Sequence, residues 1–182
     1  MTESALAYRW SRDGFLRAWE AGAFDARVEL VEGEVWPVVI GPWHGDMTFH
    51  IARLLPGEGV RISSSTLPSG DSLPDPDCWV RRKEAEPVDS IGERLATWRP
   101  EDVLLVIEVA DETAAADLTV KARLYAAAGY RAYWVITRDA VYAHAVPGAD
   151  GYERRDEHRA GTLVPVPYAP ADIPVDDLLD IS

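Results

Sequence analysis

The sequence predicts a mixed α/β fold with a partly parallel central sheet, and three stretches carry that prediction. The run Val103-Leu104-Leu105-Val106-Ile107-Glu108-Val109-Ala110 is almost wholly apolar, with the length of a strand covered on both faces. Ala114 to Ala128 is dominated by alanine and leucine, and Gly129 suits a helix C-terminal cap. Ala132-Tyr133-Trp134-Val135-Ile136-Thr137 then reads as a second core strand. Strand, helix and strand in that order imply a crossover between parallel neighbours.

The other elements follow from local signals. Ser11 to Ala21 is a helix with Ser11 as N-cap, an apolar stripe of Phe15, Leu16 and Trp19, and Gly22 as its stop. Arg27 to Val31 and Glu34 to Ile40 form a hairpin around Glu32-Gly33. Gly41-Pro42 breaks the pattern. His44 to Leu55 is the next helix, ended by Pro56-Gly57. Gly59 to Leu67 and Asp77 to Arg81 are strands, and the polar, proline-bounded stretch from Arg82 to Pro100 is a long loop. Val141 to Val146 and Tyr152 to Asp156 make an antiparallel hairpin. Val175 to Leu179 is a short helix.

Composition bounds the function. At 182 residues the chain is expected to be one domain spanning residues 1–182, large enough for a sizeable core. Hydrophobic content of 47% and charged content of 27% are those of a globular protein. The one cysteine, Cys78, cannot form an internal disulfide, which fits a reducing cytoplasm. The sequence has no apolar run of about 18 residues and no signal-peptide pattern at Met1-Thr2-Glu3-Ser4, so no membrane partner is expected. The formal net charge of −13 opposes nonspecific attraction to a phosphate backbone. Arg81-Arg82-Lys83 is the candidate local basic patch.

Glu108 is the informative residue. A carboxylate within a buried strand needs a cation, a metal or a proton. Pro76-Asp77 opens a second strand, and Asp117 and Lys121 lie four apart on one side of the predicted helix. Were the two strands neighbours, Asp77 and Glu108 could converge on one hard cation. Oxygen-only ligation favours Mg²⁺ or Mn²⁺ over zinc. A metal with two carboxylates and a nearby lysine is what phosphodiester hydrolysis uses. Read as ordinary structure, Glu108 would pair with Arg123 or Arg131, Asp77 would cap a turn, and Lys121 would be one more helix lysine. His44 either contacts phosphate and assists protonation or is polar surface. Asp117 is read as a helix-start or lysine-orienting residue, and Tyr125, Tyr133 and Trp134 as core.

Glu108-Val109-Ala110-Asp111 followed by Asp117, Lys121, Tyr125, Ala128-Gly129 and Tyr133-Trp134-Val135 resembles the signature of the Uma-two family of putative restriction endonucleases, in the PD-(D/E)XK superfamily. The resemblance extends upstream to Val28-Glu29-Leu30-Val31-Glu32-Gly33-Glu34, to His44 and to Pro76-Asp77. It implies a restriction-endonuclease-like core, a mixed central sheet flanked by helices. It further implies Asp77 and Glu108 as metal ligands and Glu29 as a third acid. The superfamily lysine usually sits two residues after the acid. That position is Ala110 here, and Lys121 on the helix stands in for it. Arg131-Ala132 and Thr137-Arg138 also depart from the family pattern.

These readings converge on a Mg²⁺- or Mn²⁺-dependent endonuclease acting on DNA, with Asp77, Glu108, Lys121, Glu29 and His44 as its site. A homodimer would suit cleavage of two strands. The rival readings are an inactive binding module on a nuclease fold and a metal hydrolase of a small phosphate ester.

Overall fold

The computed structural model of the chain describes residues 8–91, 95–111 and 113–180. Helix α1, Arg12–Glu20, begins where the Ser11 hydroxyl accepts a hydrogen bond from Gly14 N at 3.1 Å. Strands β1, Val28–Val31, and β2, Glu34–Pro37, pair antiparallel with Val31 opposite Glu34. Their two-residue turn has positive φ at both Glu32 and Gly33, as a hairpin following the strand twist requires. Helix α2, Pro42–Leu54, starts two residues earlier than its sequence signals, because Pro42 fills a first-turn position that needs no N–H.

The central sheet has six strands. They are β3, Val60–Ser63; β4, Cys78–Arg82; β7, Val103–Val109; β8, Ala132–Ile136; β9, Ala140–Gly148; and β10, Gly151–Arg159. Their spatial order is β10-β9-β8-β7-β4-β3. Only β7 and β8 run parallel, with Glu108 opposite Val135; the other neighbours are antiparallel. The fold is therefore a mixed α/β sheet with helices on both faces. On one face, Met47 and Ile51 of α2 and Leu178 of helix α5, Val175–Leu179, pack on Val80, Leu105, Ile107 and Trp134. On the other, Ala122 and Tyr125 pack on Trp79, Val106, Tyr133 and Val135. Alternation along β7 sends Leu105, Ile107 and Val109 to the first face and Val106, Glu108 and Ala110 to the second.

Several expectations are corrected. Residues 82–100 are not a plain loop. They contain β5, Asp89–Ile91, paired with β6, Leu95–Thr97, followed by a 3₁₀ turn at Pro100–Asp102. The strands are three residues long, too short for alternation to register. The Gly59–Leu67 strand ends at Ser63, and the Asp77 strand begins at Cys78. The segment 114–127 is helical but not uniform: α3, Ala114–Ala116, passes into a π turn, Asp117–Lys121, and then α4, Ala122–Ala127. A small pair, β11, Leu163–Pro165, and β12, Asp172–Pro174, precedes α5. No described helix is long and apolar enough to cross a membrane.

The β1–β2 hairpin is separate from the central sheet. Leu30 exchanges backbone hydrogen bonds with Leu73 at 3.2 and 2.8 Å, and Phe15, Leu30 and Leu73 form a small core of their own. That bridge holds β1 against residues 72–77 and brings Glu29 to the head of β4.

Candidate active site

Strand register sets the two carboxylates together. Cys78 pairs with Ile107, so one further antiparallel step puts Asp77 across from Glu108 on the same face. Asp77 Oδ2 accepts from Val109 N at 2.7 Å, which fixes its carboxylate against the end of β7. Glu108 is only 3% exposed. Its Oε1 takes two donors, Lys121 Nζ at 3.0 Å and the Tyr125 hydroxyl at 2.9 Å. Among the described residues no donor reaches its Oε2.

Lys121 is the hub. Its ammonium lies 3.0 Å from Glu29 Oε1, 3.0 Å from Glu108 Oε1 and 3.8 Å from Asp117 Oδ1. Glu29 Oε2 in turn accepts from Asp75 N at 2.9 Å. Asp75 is held by the Thr66 hydroxyl and by Arg27 Nε at 2.9 Å. Glu108 thus pairs with neither Arg123, which is bidentate on Glu32, nor Arg131. Asp117 lies in the π turn rather than at a helix start. The proposed basic patch is largely engaged: Arg81 stacks 4.0 Å over the Trp98 ring and Arg82 faces Asp102 at 3.7 Å.

Burial and charge oppose each other here. Burial pushes the Glu108 carboxyl well above the usual carboxylate range, and the Lys121 ammonium pulls it back. Burial likewise raises Asp117, again opposed by Lys121. Burial disfavours the Lys121 ammonium, but Glu108, Glu29 and Asp117 together outweigh it and raise its pKa. Lys121 therefore stays charged and serves as a donor, not a base. His44 Nε2 stands 2.8 Å from Asp77 Oδ1. The imidazole does not aim a well-aligned N–H at that oxygen, and its Nδ1 is buried without a partner. Contact with Asp77 nevertheless raises the His44 pKa against the effect of burial.

Glu29, His44, Asp77, Glu108 and Lys121, the five residues singled out from sequence, all line one cavity of about 460 Å³. Asp111 lies at it too, bidentate with Arg138 at 2.9 and 2.6 Å. Among the described residues no three His, Cys, Asp or Glu side chains stand close enough to hold a metal by themselves. A magnesium-type ion does not need three, since it keeps several waters and takes one or two carboxylates. Asp77 and the uncommitted Oε2 of Glu108 suit that demand, whereas a closed zinc site would need four protein ligands.

The Uma2 family model, described as "Putative restriction endonuclease", matches residues 15–173. The chain belongs to the Uma2 family. It is also similar to a solved structure described as "a putative nuclease belonging to DUF820 from Anabaena variabilis", at 16% identity and a TM-score of 0.65, over 93% of this chain and 97% of that one. At that identity the likeness speaks for the fold alone. No curated protein matches the chain. Membership of Uma2 places the chain among restriction-endonuclease-like nucleases.

In this Uma2 chain Lys121 ends the π turn, and Ala110, two residues after Glu108, is buried in the core. Two site residues escaped the sequence reading. Tyr125, read as core, is buried there and also donates its hydroxyl to Glu108; the signal for that role is its position four residues after Lys121, on the same side. Asp75, absent from the expected site, orients Glu29 through its backbone N–H.

Proposed function

We propose that this Uma2 protein is a Mg²⁺- or Mn²⁺-dependent phosphodiesterase that cleaves DNA. The observation that carries the reading is the meeting of Asp77, Glu108 and a charged Lys121 at one cavity, with 3.0 Å between Lys121 Nζ and Glu108 Oε1. Asp77 and Glu108 would hold the ion. When bound, the ion would polarise a phosphoryl oxygen and lower the pKa of its water. Lys121 holds its proton, so its ammonium orients the attacking water and offsets negative charge developing on the phosphate. Glu29 and Asp117 keep that ammonium in place. His44, whose proton Asp77 helps retain, is positioned to donate to the leaving oxygen or to a phosphate oxygen.

The test is plasmid nicking with Mg²⁺ or Mn²⁺, run beside Lys121→Ala, Asp77→Ala and Glu108→Ala. Wild-type nicking that all three variants lose supports the reading, and nicking that survives in any of them overturns it. A mononucleotide ester in the same assay separates a DNA enzyme from a small-phosphate hydrolase. One observation favours a second reading, an inactive binding module: Lys121 already neutralises Glu108 within a closed, buried cluster. Calorimetric Mg²⁺ titration decides between them, because such a module shows no binding that depends on Asp77 or Glu108.

A further inference from the structure

The cavity's lining divides by chemistry. Six carboxylates line it against two cations, Lys121 and Arg138. Both cations are already matched, Lys121 by Glu29 and Glu108 and Arg138 by Asp111. A phosphate entering this space meets no unpaired lysine or arginine among the described lining residues, and the His44 imidazole already stands 2.8 Å from Asp77 Oδ1. The chain's net charge of −13 adds to the deficit, since backbone binding depends on lysines and arginines that displace counterions. Duplex DNA, read through its phosphates, is therefore a poor fit.

Most of the remaining lining is apolar and comes from residues 36–43, including Trp36, Val38, Val39 and Trp43; His44, Val109, Thr113 and Ala116 complete it. Val39 is 79% exposed. Trp43 is held rigid: the Arg138 guanidinium lies 4.3 Å from its ring centroid, and Asp111 fixes that guanidinium through two hydrogen bonds. Trp36 is steadied by its indole N–H, which donates to Glu34 at 3.3 Å. Two half-buried indoles beside an acid cluster offer what the charges withhold. A flat apolar face attracts a nucleobase without cations, at a strength indifferent to net charge. The volume of about 460 Å³ lies within the roughly 300–1,000 Å³ of small-ligand sites.

We propose that the substrate is a single-stranded polynucleotide, held by an unpaired base laid against Trp43 and Trp36 while its phosphate would meet the divalent ion that Asp77 and Glu108 would hold. The proposal rests on the nuclease reading and narrows it. A paired base shows its faces only to its stacked neighbours, so a duplex would first have to be opened at a cost in binding.

The test measures binding by fluorescence anisotropy in Ca²⁺, with a labelled oligothymidine, the same-length abasic oligonucleotide and an intact duplex. Oligothymidine is expected to bind about tenfold or more tighter than either of the others. Trp43→Ala and Trp36→Ala should erase the advantage over the abasic strand, and Trp43→Phe should keep it. Equal binding of the abasic strand or the duplex, no binding of oligothymidine, or an advantage that survives both alanine variants overturns the proposal. The abasic comparison uses the wild-type protein, so it decides even if a variant misfolds. Failure of the nuclease reading looks different: base-dependent binding persists, yet no strand is cut in Mg²⁺ or Mn²⁺.

Discussion

Lys121 is 6% exposed, and three carboxylates depend on it. Removing one partner of a buried ion cluster leaves uncompensated charge, which costs about 3–5 kcal/mol. Lys121→Met is accordingly expected to lower the unfolding free energy obtained from urea titration by that order, and adding Glu108→Gln to it should recover part of the loss. Loss of a charged donor from the reacting centre should also cut nicking about 10²–10³-fold. Tyr125→Phe takes one of two donors from Glu108 Oε1, and a buried acceptor short of a partner costs about 1–3 kcal/mol, measurable in the same denaturation series. His144 gives the clearest pH effect. It is buried between Tyr133 and Tyr152, with ring centroids at 5.3 and 5.6 Å, and burial lowers its pKa below 6.5. The unfolded chain then takes up a proton at a higher pH than the folded one. The associated stability is whole above pH 6.5 and falls as pH drops through the folded value. Melting temperatures of wild type and His144→Gln should thus converge, or cross, between pH 8 and 5, and parallel curves would contradict this. At this scale Glu108 was legible because a carboxylate in an apolar run demands a partner. Lys121 was legible as its neighbour from the helix position four residues after Asp117, but a direct ion pair was not, since Arg123 and Arg131 satisfy the same demand on paper and only packing selects Lys121.

The π turn matters more than its five residues suggest. In a regular α-helix, residues four apart drift by about 40° around the axis, so Asp117, Lys121 and Tyr125 would spread over about 80°. A wider turn at Asp117–Lys121 takes up part of that drift, and all three side chains remain on the side facing β7. Deleting the exposed Thr119 lets the turn close as ordinary α-helix, in which Asp117 would stand only three residues before Lys121 and about 60° short of a full turn from it. We expect circular dichroism to show undiminished helix and the nicking assay to show none of the wild-type activity; full activity would mean the turn is incidental. Composition announced this helix through its alanines, but a π turn has no composition of its own. The β5–β6 hairpin stayed hidden for a related reason: its six strand residues are half polar and half apolar, half-exposed and bounded by prolines, too few to show alternation. The β1–β2 hairpin was legible because Glu32-Gly33 supplies the positive φ its turn requires.

Across the whole molecule, charge and topology pull in different directions. The sheet order brings distant segments to one point: β1 near residue 29, the start of α2 near 44, the head of β4 near 77 and the end of β7 near 108. The strands of that arrangement could be read from apolar runs. Their neighbour order could not, apart from the β7–β8 crossover and the β9–β10 hairpin, because antiparallel pairing across stretches as long as the one between β4 and β7 leaves no local trace. The acidity of the chain sets how it meets a polyanion. The salt dependence of oligonucleotide binding should be shallow, with a log–log slope no steeper than about −2 between 50 and 200 mM salt, since each phosphate neutralised contributes roughly 0.7–0.9 to it. A slope several times steeper would reveal a cationic track that the paired arginines conceal.

The hairpin that carries Glu29 shares no strand pairing with the six-stranded sheet and is joined to it through the Leu30–Leu73 bridge. A fragment trimmed to begin at Ile40 would keep every strand of that sheet together with His44, Asp77, Glu108 and Lys121. It would lack one of the three counter-anions that hold the lysine upright, and Leu73 would be stripped of its cover. Shortening this protein to start at Ile40 would therefore leave Lys121 with fewer of the carboxylates that fix it.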